Sequence, residues 1–331
     1  MRVGVIGVGR MGLVHAQTLA EIPGVEAVIL ADTDEPRARR VAGDLGVEAA
    51  PSTEALFGAV DAVVIAAATS AHAELIHRAA DAGTPAFCEK PISIDLKSTA
   101  EVTEHIRDSA IPFQMGFQRR FDAGYRAARD LVRDGGVGTL YLVRMAGHDP
   151  APPPEEYIAA SGGLFVDFSV HDFDALRFVT GEEVEEVYAD GAVIGFPVFA
   201  RYDDVDTGTA TLRLSGGALS ILSVARHDPL GYDVRMELLG SGDSVAVGWD
   251  ERMPLRSLEA GAPPAPSDAY ANFQDRFLPA YREEMAAFVE VARGRRKSAC
   301  TANDALEALR VALACDRSRF EHRPVRLDEI T

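Results

Sequence analysis

Residues 2–12, RVGVIGVGRMG, decide how this chain begins to fold. The apolar run through Val3, Val5 and Ile6 is too short for a helix and passes straight into glycines, so it reads as a buried strand ending in a turn. Gly7, Gly9 and Gly12 stand at the spacing G-x-G-x-x-G, and a helical pattern follows with Leu13, Ala16, Leu19 and Ala20 expected on its packed face. Each glycine has a physical task. Gly7 permits the tight turn, Gly9 lets a pyrophosphate approach the backbone, and Gly12 lets the helix lie close to the strand. The first helical residues, Arg10 and Met11, then offer free N–H groups and the positive dipole end to the phosphates of a dinucleotide.

Working outward, Val25 to Leu30 forms a second strand that ends at Ala31 and Asp32. There the carboxylate can accept hydrogen bonds from both ribose hydroxyls, which favours NAD, because a 2'-phosphate would be repelled. Arg37, Arg39 and Arg40 keep NADP open as a second cofactor, although they also suit the polar face of a helix over 35–45. Strands over 60–67, 85–88 and 111–116 alternate with helices over 72–82 and 95–108, the pattern of a doubly wound parallel α/β sheet with its ligand beyond the carboxyl ends of the strands. Ser70 and His72 follow one such end and are expected near the cofactor, whereas His77 is expected to face solvent. Glu89, Lys90 and Pro91 follow the fifth strand. Lys90 is expected to point its ammonium toward the nicotinamide and a substrate hydroxyl; a surface ion pair between Glu89 and Lys90 is the alternative.

The chain has 331 residues, enough for about two domains. Its 33 Lys and Arg against 51 Asp and Glu give a net charge of −18, which argues against nucleic acid or an anionic membrane as partner. Cys88, Cys300 and Cys315 are far apart and outside any metal-type spacing, so reduced thiols in a cytoplasmic protein are expected. No cationic leader and no run of about 18 apolar residues is visible.

A second organising stretch is 161–174, SGGLFVDFSVHDFD. Asp167 and His171 stand four apart in an otherwise apolar run, one helical turn apart on one face, with Gly162 and Gly163 marking the expected helix start. An ionisable pair there is costly unless paired or used. Two polar residues satisfying each other in a core is the simple alternative, and a metal held by Asp167, His171, Asp172 and Asp174 is a third; no metal is expected. Arg119 and Arg120, between aromatic residues at the end of the first half, either reach a substrate or tie the domains together. A stiff loop through Pro150 and Pro152–Pro154 fixes His148 and Asp149 at an edge.

The glycine turn with His15 and Ala16 behind it, Asp32, Glu89-Lys90-Pro91 and the later G-G-x-x-x-D-x-x-x-H-D together resemble the Gfo/Idh/MocA oxidoreductase family. Ala68 departs from the Pro that many members carry there. The resemblance implies a Rossmann NAD-binding domain, 1–120, and an α/β domain, 121–331, whose large, mainly antiparallel open-faced sheet often serves oligomerisation; the last helices can pack back on the first domain. It also implies a catalytic set of Lys90, Asp167 and His171. In that role the imidazole, with an ordinary pKa near 6.5, takes a hydroxyl proton, Asp167 orients it or the substrate, and Lys90 stabilises alkoxide charge. The run 148–174 resembles the inositol 2-dehydrogenases of the family, which implies oxidation of a cyclitol, myo-inositol foremost; scyllo-inositol or an aldose in pyranose form is the near rival. Asp149, Tyr232 and Arg119 are the implied substrate contacts, though Tyr232 equally suits a surface aromatic. A non-catalytic NAD-binding sensor is the rival of another class.

Beyond residue 184 the chain reads as successive strands over 184–193, 206–214, 218–226 and 234–239, an antiparallel sheet with one face to be covered. A homo-oligomer, dimer or tetramer, would cover it. Trp249 is expected in packing, and helices over 277–292 and 303–319 in the core.

Overall fold

The computed structural model describes residues 1–331 and divides into two compact units, Met1–Phe121 with Pro279–Glu307, and Asp122–Leu278 with Ala308–Thr331. The first unit alternates β1 (Arg2–Ile6), α1 (Arg10–Glu21), β2 (Ala27–Ala31), α2 (Glu35–Leu45), β3 (Glu48–Ala49), α3 (Thr53–Phe57), β4 (Ala62–Ile65), α4 (Thr69–Asp81), β5 (Ala86–Glu89), α5 (Leu96–Ser109) and β6 (Phe113–Gly116). All strands are parallel, in the order β3-β2-β1-β4-β5-β6. The reversal between β1 and β4 creates the crevice in which such sheets bind ligands. Because helices cover both faces, β4 and β6 are buried at every residue, and β4 reads as a continuous apolar run.

The packed face of α1 is Gly12, His15, Ala16, Thr18 and Leu19; Leu13 and Ala20, expected on it, are exposed. Residues 279–307 complete this unit. Met285, Phe288 and Val289 enter the core formed by Val3, Val5, Leu30, Val64 and Phe87. Arg120 pins the same segment, with Nη1 donating to Ala299 O at 2.8 Å and Nη2 3.0 Å from Asp304 Oδ1. Arg119 is buried as well.

The second unit contains α6 (Ala123–Arg133), β7 (Leu140–His148), α7 (Glu155–Ser161), α8 (Val170–Thr180), β8 (Val184–Ala192), β9 (Thr207–Leu214), β10 (Leu219–Ala225), β11 (Asp233–Gly240) and β12 (Ser244–Val247). Two long helices, α9 (Phe273–Ala292) and α10 (Ala302–Glu321), each pass between the units, and β13 (Val325–Arg326) closes the sheet edge. The strand order is β12-β11-β7-β10-β9-β8-β13. Every neighbour pair is antiparallel except β7 with β10, which run parallel with His148 opposite Ala225. Burial alternates strictly along β9 and β10, so one face is packed and the other bears polar groups with Leu219, Ile221 and Tyr188 among them. Trp249 is 62% exposed and is not a packing residue.

Candidate active site

The glycine turn has the shape its spacing predicts. A Cβ on Gly12 would stand 1.8 Å from the Gly7 carbonyl oxygen, and one on Gly7, at φ +92°, would stand 2.6 Å from Ala67 Cα. At Gly9 nothing lies within 4 Å, so this face of the turn is open to a ligand. α1 begins there without a side-chain cap and without an acidic residue in its first turn, which leaves its positive end uncompensated for a pyrophosphate. Asp32, just past β2, is held toward the turn: Val8 N–H donates to its Oδ2 at 2.8 Å and Asp34 N–H to its Oδ1 at 2.9 Å. Each oxygen retains a lone pair for a ribose hydroxyl. This cradle fits NAD.

Lys90 is half-buried directly after β5, and Ser70 is exposed in the first turn of α4. His72 departs from its expected role. Its imidazole is buried and turned inward, with Nδ1 2.7 Å from Pro91 O and Nε2 3.0 Å from Ala67 O, so it braces the loop after Lys90 and does not present a side chain to a cofactor. Burial pulls its pKa below the usual histidine range, against the pull of the two carbonyls. Glu89 Oε1 lies 2.6 Å from His15 Nε2. His77 meets His105, Nδ1 to Nδ1, at 2.6 Å and is not a free surface residue.

In the second unit, the helix expected to begin at Gly162 is built differently. The Pro-rich loop stops at Pro154, and Glu155 and Glu156 favour the positive end of a short helix, α7, absent from the sequence reading. Gly162 and Gly163, at φ +83° and +94°, close α7 and redirect the chain. A single π-helical turn, Phe165–Ser169, then leads into α8. Asp167 lies in the π turn and is buried, whereas half-exposed His171 belongs to α8.

Both oxygens of Asp167 are held. Tyr157 Oη donates to its Oδ1 at 2.7 Å and Arg226 Nη2 to its Oδ2 at 2.9 Å. Arg226, 3% exposed, also approaches Asp149 Oδ2 at 3.4 Å and lies over the Phe168 ring at 5.6 Å. Burial alone would lower the Arg226 pKa, but Asp167 and Asp149 outweigh it and hold the guanidinium charged. The parallel pairing of β7 with β10 makes this possible, since both strands end on the same side and deliver Asp149 and Arg226 together. His148, beside Asp149, is fixed by Ser223 Oγ at 2.8 Å. Tyr157 and Arg226 are the site residues that the sequence did not single out; the one signal was that Arg226 closes a strand. Tyr232 is 5% exposed and packs edge-on against Phe277 at 6.4 Å, so it is a core aromatic and not a surface one.

Comparison with known proteins agrees with both halves. Residues 1–117 match the oxidoreductase family with an NAD-binding Rossmann fold, and residues 125–246 match the GFO/IDH/MocA C-terminal domain. The chain is 36% identical to the myo-inositol 2-dehydrogenase of Thermotoga maritima, covering 100% of this chain and 99% of that one. It is 33% identical to the NAD(+) scyllo-inositol 2-dehydrogenase of Bacillus subtilis, covering 99% and 96%. A scyllo-inositol dehydrogenase of Lactobacillus casei, solved with bound NAD(H) and scyllo-inositol, superposes with a TM-score of 0.89 at 29% identity, covering 99% of each chain.

Proposed function

The chain belongs to the Gfo/Idh/MocA oxidoreductase family, and from that premise we propose that it is an NAD-dependent dehydrogenase that oxidises one ring hydroxyl of a cyclitol, myo-inositol to its 2-keto form, scyllo-inosose. The observation that carries this reading is the buried Arg226 clamp on Asp149 and Asp167. It fixes carboxylates at the end of a strand pair, as recognition of a ring of hydroxyl donors requires. NAD supplies the hydride acceptor. Gly9, the start of α1 and Asp32 bind and orient it, with Arg10, Met11, Ser70 and the Glu89–Lys90 turn as further contacts.

Three residues are assigned to the chemistry. His171 takes the hydroxyl proton as the carbon–hydrogen bond breaks, and half-exposure leaves its imidazole able to pass that proton on. Asp167, held by Tyr157 and Arg226, orients the hydroxyl or the imidazole. Lys90 offers its ammonium to the oxygen as negative charge develops. Asp149 and Arg119 contribute to the choice of substrate.

We also infer a homo-oligomer. On the outward face of the second sheet Leu239, Leu142 and Leu219 sit in register across three strands, with Tyr188 and Ile221 both opposite Thr211. An Ile221→Glu variant is expected to elute as a smaller species in light-scattering chromatography. No helix is long and apolar enough to cross a membrane.

The test of the activity is NADH absorbance at alkaline pH with NAD and a panel of inositol isomers, polyols and aldoses. Turnover with myo-inositol is expected to exceed that with scyllo-inositol and glucose; the reverse order reassigns the substrate. NAD binding with no turnover on any of them would make the protein a sensor.

A further inference from the structure

Glu284, on α9 within the first unit, is fully buried, and neither of its carboxylate oxygens has a hydrogen-bond partner. The polar and ionisable groups around it come from four elements. From α1 comes His15, with Nε2 2.6 Å from Glu89 Oε1 and a buried Nδ1 that has no partner. From β5 comes Glu89 itself, followed in the chain by Lys90. From β6 comes Gln114, whose side-chain amide donates to the Glu284 backbone carbonyl at 2.9 Å. On α9, one turn earlier, Tyr281 sets its ring edge-on to His15 at 6.0 Å, and Phe87 of β5 does so at 5.2 Å. The ligand-type atoms of His15, Glu89 and Glu284 all lie within 4.8 Å of one another.

An ionised carboxylate in that place would be bare and next to a second one. Burial first, and then the charge on Glu89, hold the Glu284 carboxyl well above its ordinary range. A neutral carboxyl is different, because it carries a donor, and His15 and Glu89 offer acceptor atoms within 4.8 Å. A His and two Glu are also a donor set for a divalent cation. Such an ion would need both carboxylates ionised and the 2.6 Å His15–Glu89 contact opened.

We propose that Glu284 is a positioning residue: it backs the His15–Glu89 pair, and the trio fixes the Glu89–Lys90 turn and thereby the place of the Lys90 ammonium. This rests on the reading of Lys90 as a catalytic group, so one readout must be independent of turnover. The chain has three lysines, Lys90, Lys97 and Lys297, which makes reductive 13C-methylation a clean probe. Lys97 is 85% exposed and serves as the solvent-exposed reference.

In the wild type the Lys90 methyl resonance is expected at a chemical shift distinct from that of Lys97. In Glu284→Ala it should move toward Lys97, and kcat should fall about tenfold while NADH affinity holds. Glu284→Gln, neutral and of the same shape, should restore both the resonance and most of kcat. An unmoved Lys90 resonance in Glu284→Ala would overturn the proposal. So would Glu284→Gln as impaired as Glu284→Ala, or a stoichiometric divalent metal found by elemental analysis of the purified protein. A wild type that turns over no polyol overturns the dehydrogenase reading instead, and the lysine resonances still decide the trio.

Discussion

The two units make their sites from different materials. In the first, the site is made largely of backbone: a glycine turn, a bare helix start, and one carboxylate held by two N–H groups. In the second, side chains from three separate stretches hold one another, Tyr157 and Arg226 on Asp167 and Arg226 again on Asp149. A backbone site is limited by space and fails all at once when space is filled. A side-chain network fails by degrees, each loss leaving partners that can regroup or take water.

The largest expected effect is therefore in the first unit. Gly12→Val sets a Cβ 1.8 Å from the Gly7 carbonyl, which only backbone movement can relieve, so NADH fluorescence titration should detect no binding. A variant that binds NADH normally would break the contrast. Next comes Arg226→Met, which leaves Asp167 buried without its cation. Removing one partner of a buried pair costs about 3–5 kcal/mol, read as a lower denaturation midpoint, with turnover lost and the nucleotide affinity of the other unit intact.

Asp316 sharpens the comparison, because this acid of the second unit is poorly compensated. Burial pushes its carboxyl up to about 6 despite Arg319 at 3.3 Å. The folded state holds that proton more tightly than the unfolded chain, whose value is near 3.8. The stabilisation is complete below pH 3.8 and is lost as pH rises through about 6. Asp316→Asn should thus unfold like the wild type at pH 4 and gain on the order of 1–3 kcal/mol over it at pH 8; an equal gain at both pH values would contradict this. The smallest effect is expected from Tyr157→Phe, which deletes one hydrogen bond to Asp167 for about 1 kcal/mol. A few-fold loss in kcat/KM without change in NADH affinity is the outcome to look for.

The same difference explains what was legible in the sequence. Gly7, Gly9, Gly12 and Asp32 form a site within one strand–helix–strand passage, so their spacing along the chain is their spacing in space. Lys90 is a candidate for the same reason, because it follows a strand end. Arg226 lies 77 residues from Asp149, and only the parallel pairing of β7 with β10 joins them; the strand pattern of that region suggests mainly antiparallel neighbours. The π turn at Asp167 leaves no mark in hydrophobic spacing, since Phe165, Val166 and Phe168 are apolar in either helical geometry. His72 was misread because its position after β4 matches a cofactor contact, whereas its rotamer points to Pro91 and Ala67. Trp249 was assigned to packing on residue type alone.

The path of the chain has one further consequence. Because it crosses between the units three times, at 121/122, 278/279 and 307/308, the nucleotide-binding unit cannot be excised as an N-terminal fragment. A chain emerging from the ribosome holds β1 to β6 early but lacks Met285 and Phe288 until nearly nine-tenths of it is made. Throughout that interval the first sheet is an unfinished surface, and the second sheet has time to form before the first is sealed. Truncation, domain exchange or fusion at residue 121 should therefore yield protein that aggregates, whereas a graft that carries residues 279–307 with it keeps that core whole.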